Sequence, residues 1–125
     1  MHTEQKSQII IYQTEDGGTK IDVRLENETV WLSQKHMADL FQSSKQNISH
    51  HISSIFVEGE LYPEATVKNY LTVQTEGRRK VTRDIEFYNL DMVISVGYRV
   101  KSHVATRFRQ WATQRIHEYC TCYLF

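Results

Sequence analysis

The 125-residue sequence predicts an α+β fold: a winged helix-turn-helix-like domain with an N-terminal β-hairpin, a second, basic β-hairpin as its wing, and a C-terminal amphipathic helix. Three observations predict it. Period-two alternation of apolar residues flanks two turn sequences, Asp16-Gly17-Gly18 and Gly77-Arg78-Arg79-Lys80. Between the hairpins, Ser33–Phe56 carries two short apolar stripes at helical spacing, joined by a polar turn. After the second hairpin, apolar residues again recur at helical spacing as far as Tyr119.

The N-terminal hairpin spans 7–26. Ile9, Ile10, Ile11 and Tyr12 form a β-rich run, Ile21, Val23 and Leu25 alternate with polar residues, and the glycines supply the positive φ that the turn needs. Val30-Trp31-Leu32 is a further short strand or a helix lead-in, and Ser33 can cap the helix after it. In the helix pair, 33–56, the first helix has one stripe of Met37, Leu40 and Phe41. Ala38 is small enough for a second helix to cross closely. Gln42-Ser43-Ser44 turns the chain, Ser44 caps the second helix, and Ile48, Ile52 and Ile55 face inward. Gly59 and Pro63 end this helical stretch.

In the wing, 67–88, Val67, Asn69, Leu71 and Val73 share one face, and Val81, Arg83, Ile85 and Phe87 share a face of the next strand. A three-residue turn at Glu76-Gly77-Arg78 would pair Val73 with Val81 and Val67 with Phe87. The C-terminal helices occupy 89–119. Asn89 caps a short helix with Leu90, Val93 and Ile94, broken near Gly97. A longer one follows Ser102, with Val104, Phe108, Trp111, Ala112, Ile116 and Tyr119 as its apolar positions. Residues 1–119 read as a single domain and 120–125 as an irregular tail.

Composition fits a soluble globular chain: 40% apolar and 24% charged residues match neither a disordered chain nor a membrane protein. No apolar run approaches the roughly 20 residues of a membrane span, and no signal-peptide core opens the chain, so a cytoplasmic location is expected. Cys120 and Cys122, one residue apart, indicate no disulfide framework. Net charge is zero, yet the charges are segregated. Residues 1–77 hold six Lys/Arg against eleven Asp/Glu, and the remainder nine against four. The basic half implies a polyanion-facing side, while neutrality overall argues against indiscriminate coating of nucleic acid.

A small residue, a turn beginning four positions later and a branched apolar residue ten positions after the small one is helix-turn-helix spacing. The face left outside by the second helix is short and rich in hydrogen-bonding groups: Ser44, Lys45, Gln46, Ser49, His50 and Ser53 are the candidates for base edges in a major groove. Gln42 stands where glycine is usual, which demands a strained or altered turn. The competing reading is an αα-corner whose polar side is merely solvated. Arg78, Arg79, Lys80 and Arg83 on the wing are candidates for phosphate contact, the alternative being charges that blunt a sheet edge. Arg107, Arg109 and Arg115 read chiefly as the wet face of the last helix, and Phe108, Trp111 and Tyr119 chiefly as core.

Enzymatic chemistry is not expected, nor any cofactor or metal. His50 and His51 project about 100° apart on a helix and cannot ligate one ion as an i, i+4 pair can. His103 and His117 stand about 21 Å apart along theirs. No phosphate-cradling glycine loop follows a strand, and no carboxylate pair stands out.

Several segments carry a family resemblance: Val30-Trp31-Leu32-Ser33-Gln34, Gln46-Asn47-Ile48, Glu76-Gly77-Arg78-Arg79-Lys80-Val81, Phe108-Arg109-Gln110-Trp111-Ala112-Thr113 and, above all, the run from Tyr88 to Val100. From about Gln8 to Tyr119 the chain resembles the RhuM virulence protein family of bacteria, and Ala105–Trp111 is more distantly similar to the end of Bro-N domains. The resemblance implies a DNA-binding protein tied to pathogenicity islands and mobile elements, with some relatives fused to Fic or death-on-curing modules. It also implies a chain that continues past Tyr119. Cys120-Thr121-Cys122-Tyr123-Leu124-Phe125 departs from that pattern, as a truncated or frame-altered product would.

The expected function is therefore sequence-specific binding of double-stranded DNA, by a transcriptional regulator of a virulence or mobile-element locus. Homodimerisation would suit two half-sites. The alternative is a protein-interaction or regulatory module for a Fic or death-on-curing type partner, using the aromatic last helix.

Overall fold

The structure, a computed structural model, describes residues 7–15 and 17–123, with side chains as far as Tyr119. The chain runs β1 (Gln8–Gln13), β2 (Lys20–Glu26), β3 (Thr29–Ser33), α1 (Gln34–Phe41), α2 (Lys45–Val57), α3 (Pro63–Thr66), β4 (Val67–Glu76), β5 (Arg79–Asn89), α4 (Leu90–Val100) and α5 (Ser102–Tyr123). The strands form one antiparallel sheet in the order β1-β2-β3-β5-β4. Among the described residues no helix is long and apolar enough to cross a membrane.

The helices cover one face of the sheet. Tyr12, Ile21, Val23, Leu25, Val30 and Leu32 alternate inward, as the period-two pattern demands, and pack on Met37, Leu40 and Phe41 of α1 and Ile48, Ile52 and Ile55 of α2. In the first hairpin Tyr12 pairs with Ile21 and Ile10 with Val23. Gly17 has φ 73°, while Asp16 lies outside the described residues. Val30-Trp31-Leu32 is strand, and Asn27 and Glu28, both at positive φ, form the two-residue turn before it.

β3 pairs with β5 only through Trp31, Leu32 and Ser33, opposite Asn89, Tyr88 and Phe87. The rest of the β4–β5 hairpin leaves the sheet as a two-stranded ribbon. Its register differs from expectation. The turn has two residues, Gly77 and Arg78, because Gly77 at φ 64° starts a hairpin turn whose twist matches the strands, so Glu76 pairs with Arg79 and Val73 with Thr82. One residue of slip changes which side chains share a face. Val67 packs on the core and pairs with Tyr88. It is Lys68, Tyr70, Thr72 and Gln74 that share a face with Phe87, Ile85, Arg83 and Val81. Leu71 and Val73 are left 74% and 63% exposed.

Three further expectations are corrected. Pro63 does not end a helical stretch but opens α3, at the helix start where its missing N–H costs nothing. Gly97 does not break α4, which runs through it to Val100. A Cβ on Gly97 would stand 2.5 Å from Cβ of Ala105 and 2.6 Å from Cζ of Phe41, so glycine lets α4 approach α5 and α1. Finally, α5 continues to Tyr123 where an irregular tail was expected from residue 120, and Leu124 and Phe125 lie outside the described residues.

Candidate nucleic-acid interface

Both helices of the pair start on a serine cap. Ser33 Oγ accepts from the His36 amide at 3.2 Å and Ser44 Oγ from the Asn47 amide at 3.0 Å. The Ser44 hydroxyl is thus engaged by its own helix. The turn between them holds Gln42 at φ 54°, ψ 49°, a left-handed conformation, so of a strained or an altered turn it is the strained one. Its backbone N–H donates to the Ala38 carbonyl, and its Nε2 donates to the Asp39 carbonyl at 2.8 Å, so the glutamine side chain supports a conformation unfavourable for residues with a Cβ.

Along α2, Ile48, Ile52 and Ile55 are buried. Lys45, Gln46, His50 and Ser53 are exposed, and Ser49 is half-buried. Burial, then His50 and Arg99, lower the His51 pKa. On the ribbon, Arg78, Arg79 and Lys80 stand exposed at the tip. Arg83 does not stand alone: its Nε and Nη2 both donate to Glu76 Oε2, at 2.9 and 2.7 Å.

A cleft of about 680 Å³ separates the ribbon from the starts of α1 and α2. It brings Lys45 and Arg83 to one site and leaves the tip cations beyond its lining. Lys35, His36, Thr72 and Gln74 also line it, and the sequence reading passed over all four. Lys35 had a usable signal, a cation just inside a serine-capped helix start, as Lys45 is. Thr72 and Gln74 had none, because their face followed from the corrected register. Asp84 and Glu86 add carboxylates to the lining. Asp84 accepts from Asn69 Nδ2, and Glu86 accepts from the Tyr88 hydroxyl, which itself accepts from Gln34 Nε2. That relay ties the ribbon base to the first turn of α1.

The ribbon's other anchor lies on the sheet face away from the helices. The Arg24 guanidinium sits 4.1 Å from the Tyr70 ring centroid, Tyr70 meets Phe87 edge-on at 5.1 Å, and Lys68 pairs with Glu26. Burial works to raise the Glu26 carboxyl, but its hydrogen bond and ion pair with Lys68 outweigh it and hold its pKa below the ordinary value. Burial, then Glu26, raises the Tyr70 phenol.

In the last helix Phe108 is fully buried, and Trp111 packs on it and on Tyr12 at ring distances of 5.7 and 4.9 Å, so both belong to the core, as expected. Arg107 pairs with Glu15, and Arg115 with Glu118 at 2.9 Å. Arg99 has no role in the sequence reading. Its Nη2 donates to Glu58 and Glu60 at 2.8 and 2.9 Å, tying the end of α4 to the loop after α2.

The family model of the virulence protein RhuM family matches residues 65–123. Over that segment the RhuM resemblance is shown. The RhuM match takes in the ribbon, α4 and α5, including the Tyr88–Val100 run. It begins after α2, so Val30–Gln34, Gln46–Ile48 and the whole helix pair lie outside it. No curated protein and no solved structure matches the chain.

Proposed function

We propose that the chain is a sequence-specific double-stranded DNA-binding protein of winged helix-turn-helix type, acting as a transcriptional regulator of a virulence or mobile-element locus. The observation that carries this reading is the cleft shared by Lys45, at the start of the second helix, and Arg83, on the ribbon. In this arrangement α2 enters the major groove with Lys45, Gln46, Ser49, His50 and Ser53, Ser44 holding its first turn. The tip cations Arg78, Arg79 and Lys80 then take the neighbouring phosphates. Lys35 joins the phosphate set. Base contacts specify and phosphate contacts position, so the two elements divide the work. No catalytic step and no cofactor enters.

The test is fluorescence anisotropy on mixed-sequence duplex DNA across a salt series. Phosphate neutralisation makes log K fall linearly with log salt. A steep slope, followed by recovery of a preferred sequence on selection, is the expected result. No binding by the folded chain at low salt rejects the proposal.

A further inference from the structure

β4 is an edge strand: β5 lies on one side, and among the described residues no strand lies on the other. Edges expose a row of unpaired N–H and C=O groups, and proteins usually blunt them with charge, proline or a bulge. β4 has none of these along its middle. From Asn69 to Thr75 it is uncharged, contains no proline, and pairs with β5 residue for residue. Leu71 and Val73 stand on one face, largely exposed. The charges come only at the two ends, and they are of opposite sign: Lys68 and Glu76, whose side chains remain 37% and 47% exposed within their existing ion pairs.

We propose that β4 pairs antiparallel with β4 of a second copy of this chain, about a twofold axis through Thr72. In that register Leu71 faces the partner's Val73, Tyr70 the partner's Gln74, Asn69 the partner's Thr75 and Lys68 the partner's Glu76. Each contact occurs twice, as an isologous interface requires. Charge complementarity selects the register. An axis through Leu71 or Val73 keeps the helices on one side but leaves Lys68 and Glu76 without each other. An axis between two residues would oppose an inner-face side chain of one copy to an outer-face side chain of the other, which the pleat does not allow.

The dimer is independent of the nucleic-acid reading, and one consequence rests on it. Val67, at the ribbon base, lies five residues from the axis, so at about 3.3 Å per residue the two bases stand about 33 Å apart along the strands. That is close to the roughly 34 Å between half-sites one helical turn apart. Each basic tip then lies beside the partner's ribbon base.

Sedimentation velocity of the full chain without DNA, across a concentration series, tests the pairing. The expected result is a reversible dimer that Leu71→Lys with Val73→Lys converts to monomer. Because both residues are exposed, circular dichroism should report an unchanged fold. The register is tested separately, in a Cys120→Ser, Cys122→Ser background. Under mild oxidation Thr72→Cys, which meets its own mate within disulfide reach, should cross-link readily, and Asn69→Cys should not. A monomer at every concentration, a dimer indifferent to the two lysines, or equal cross-linking by the two cysteines overturns the proposal. Failure of DNA binding alters none of these readouts.

Discussion

Gly97 of α4 meets Ala105 of α5 so closely that any side chain at position 97 would collide with it: an added Cβ falls 2.5 Å from the alanine Cβ and 2.6 Å from the Phe41 ring. Both neighbours are fully buried and have little room to withdraw. Two effects oppose each other in Gly97→Ala. Helix propensity favours alanine by about 1 kcal/mol. Overpacking a tight core costs about 1–3 kcal/mol, occasionally more. The steric effect should win, because three buried elements meet here. Urea denaturation should show a lower midpoint with an unchanged slope, and a midpoint at or above the parent's would show that the helices can part.

Arg99 offers a second prediction. It holds two carboxylates at once, Glu58 and Glu60, and lies some forty residues from them in sequence. Arg99→Ala should release the loop after α2 without unfolding the core. Amide exchange should quicken at Gly59 and Glu60, whose N–H groups bond to Phe56 and Ile55, and stay slow at Ile48 and Ile52. Arg99→Lys should fall between, since an ammonium keeps the charge but is more strongly hydrated than a guanidinium and holds its partners less firmly. Unchanged exchange in Arg99→Ala would show that the backbone bonds alone hold the loop.

These two residues also mark where sequence reading stops. The serine and asparagine caps at Ser33, Ser44 and Asn89 were legible because each acts within three residues of itself. Burial of Ile21, Val23 and Leu25 was legible from alternation alone. The ribbon's register was not, because two- and three-residue turns around Gly77 both preserve alternation and differ only in which residues face each other. Gly97 looked like a breaker, since the need for a missing Cβ arises from a crossing helix. Of the candidate interface, the exposed side of α2 and the basic tip were legible. His36, Thr72 and Gln74 were not, because the ribbon brings them together across the cleft from elsewhere in the chain, whereas Lys35 carried the same signal as Lys45.

Stability should fall on mild acidification. Burial lowers the His36 pKa below its ordinary 6.5, against the raising effect of Asp22 and Asp39, and burial likewise lowers His51. A histidine with a depressed folded pKa binds fewer protons folded than unfolded, so stability is fully present above 6.5 and declines as pH drops below it. Glu26, also depressed, acts in a separate window. Its contribution is present above its ordinary 4.5 and is lost as pH falls through its folded value. Urea midpoints between about pH 7.5 and 5.5 should therefore slope downward, and His36→Gln should flatten the slope. An unaltered slope in that variant would place the titration elsewhere.

The two halves of the interface should respond differently to DNA sequence. Gln46 and Ser49 sit on the groove-facing side assigned to α2, so replacing both with alanine should cost about 1–3 kcal/mol for a bidentate base contact, on the preferred site and little on random duplex. Arg79, exposed at the ribbon tip, touches phosphate in this reading. Arg79→Ala should weaken every sequence alike and reduce the salt slope by about one. Arg83 separates this account from a simple count of cations. Glu76 already holds its guanidinium through two hydrogen bonds, so few counterions are released when it meets phosphate. Arg83→Ala should then change the salt slope much less than Arg79→Ala does. Equal slopes for the two arginine variants would mean that the Glu76 pair opens on binding, and equal losses on cognate and random DNA from all the changes would defeat the division of labour between helix and ribbon.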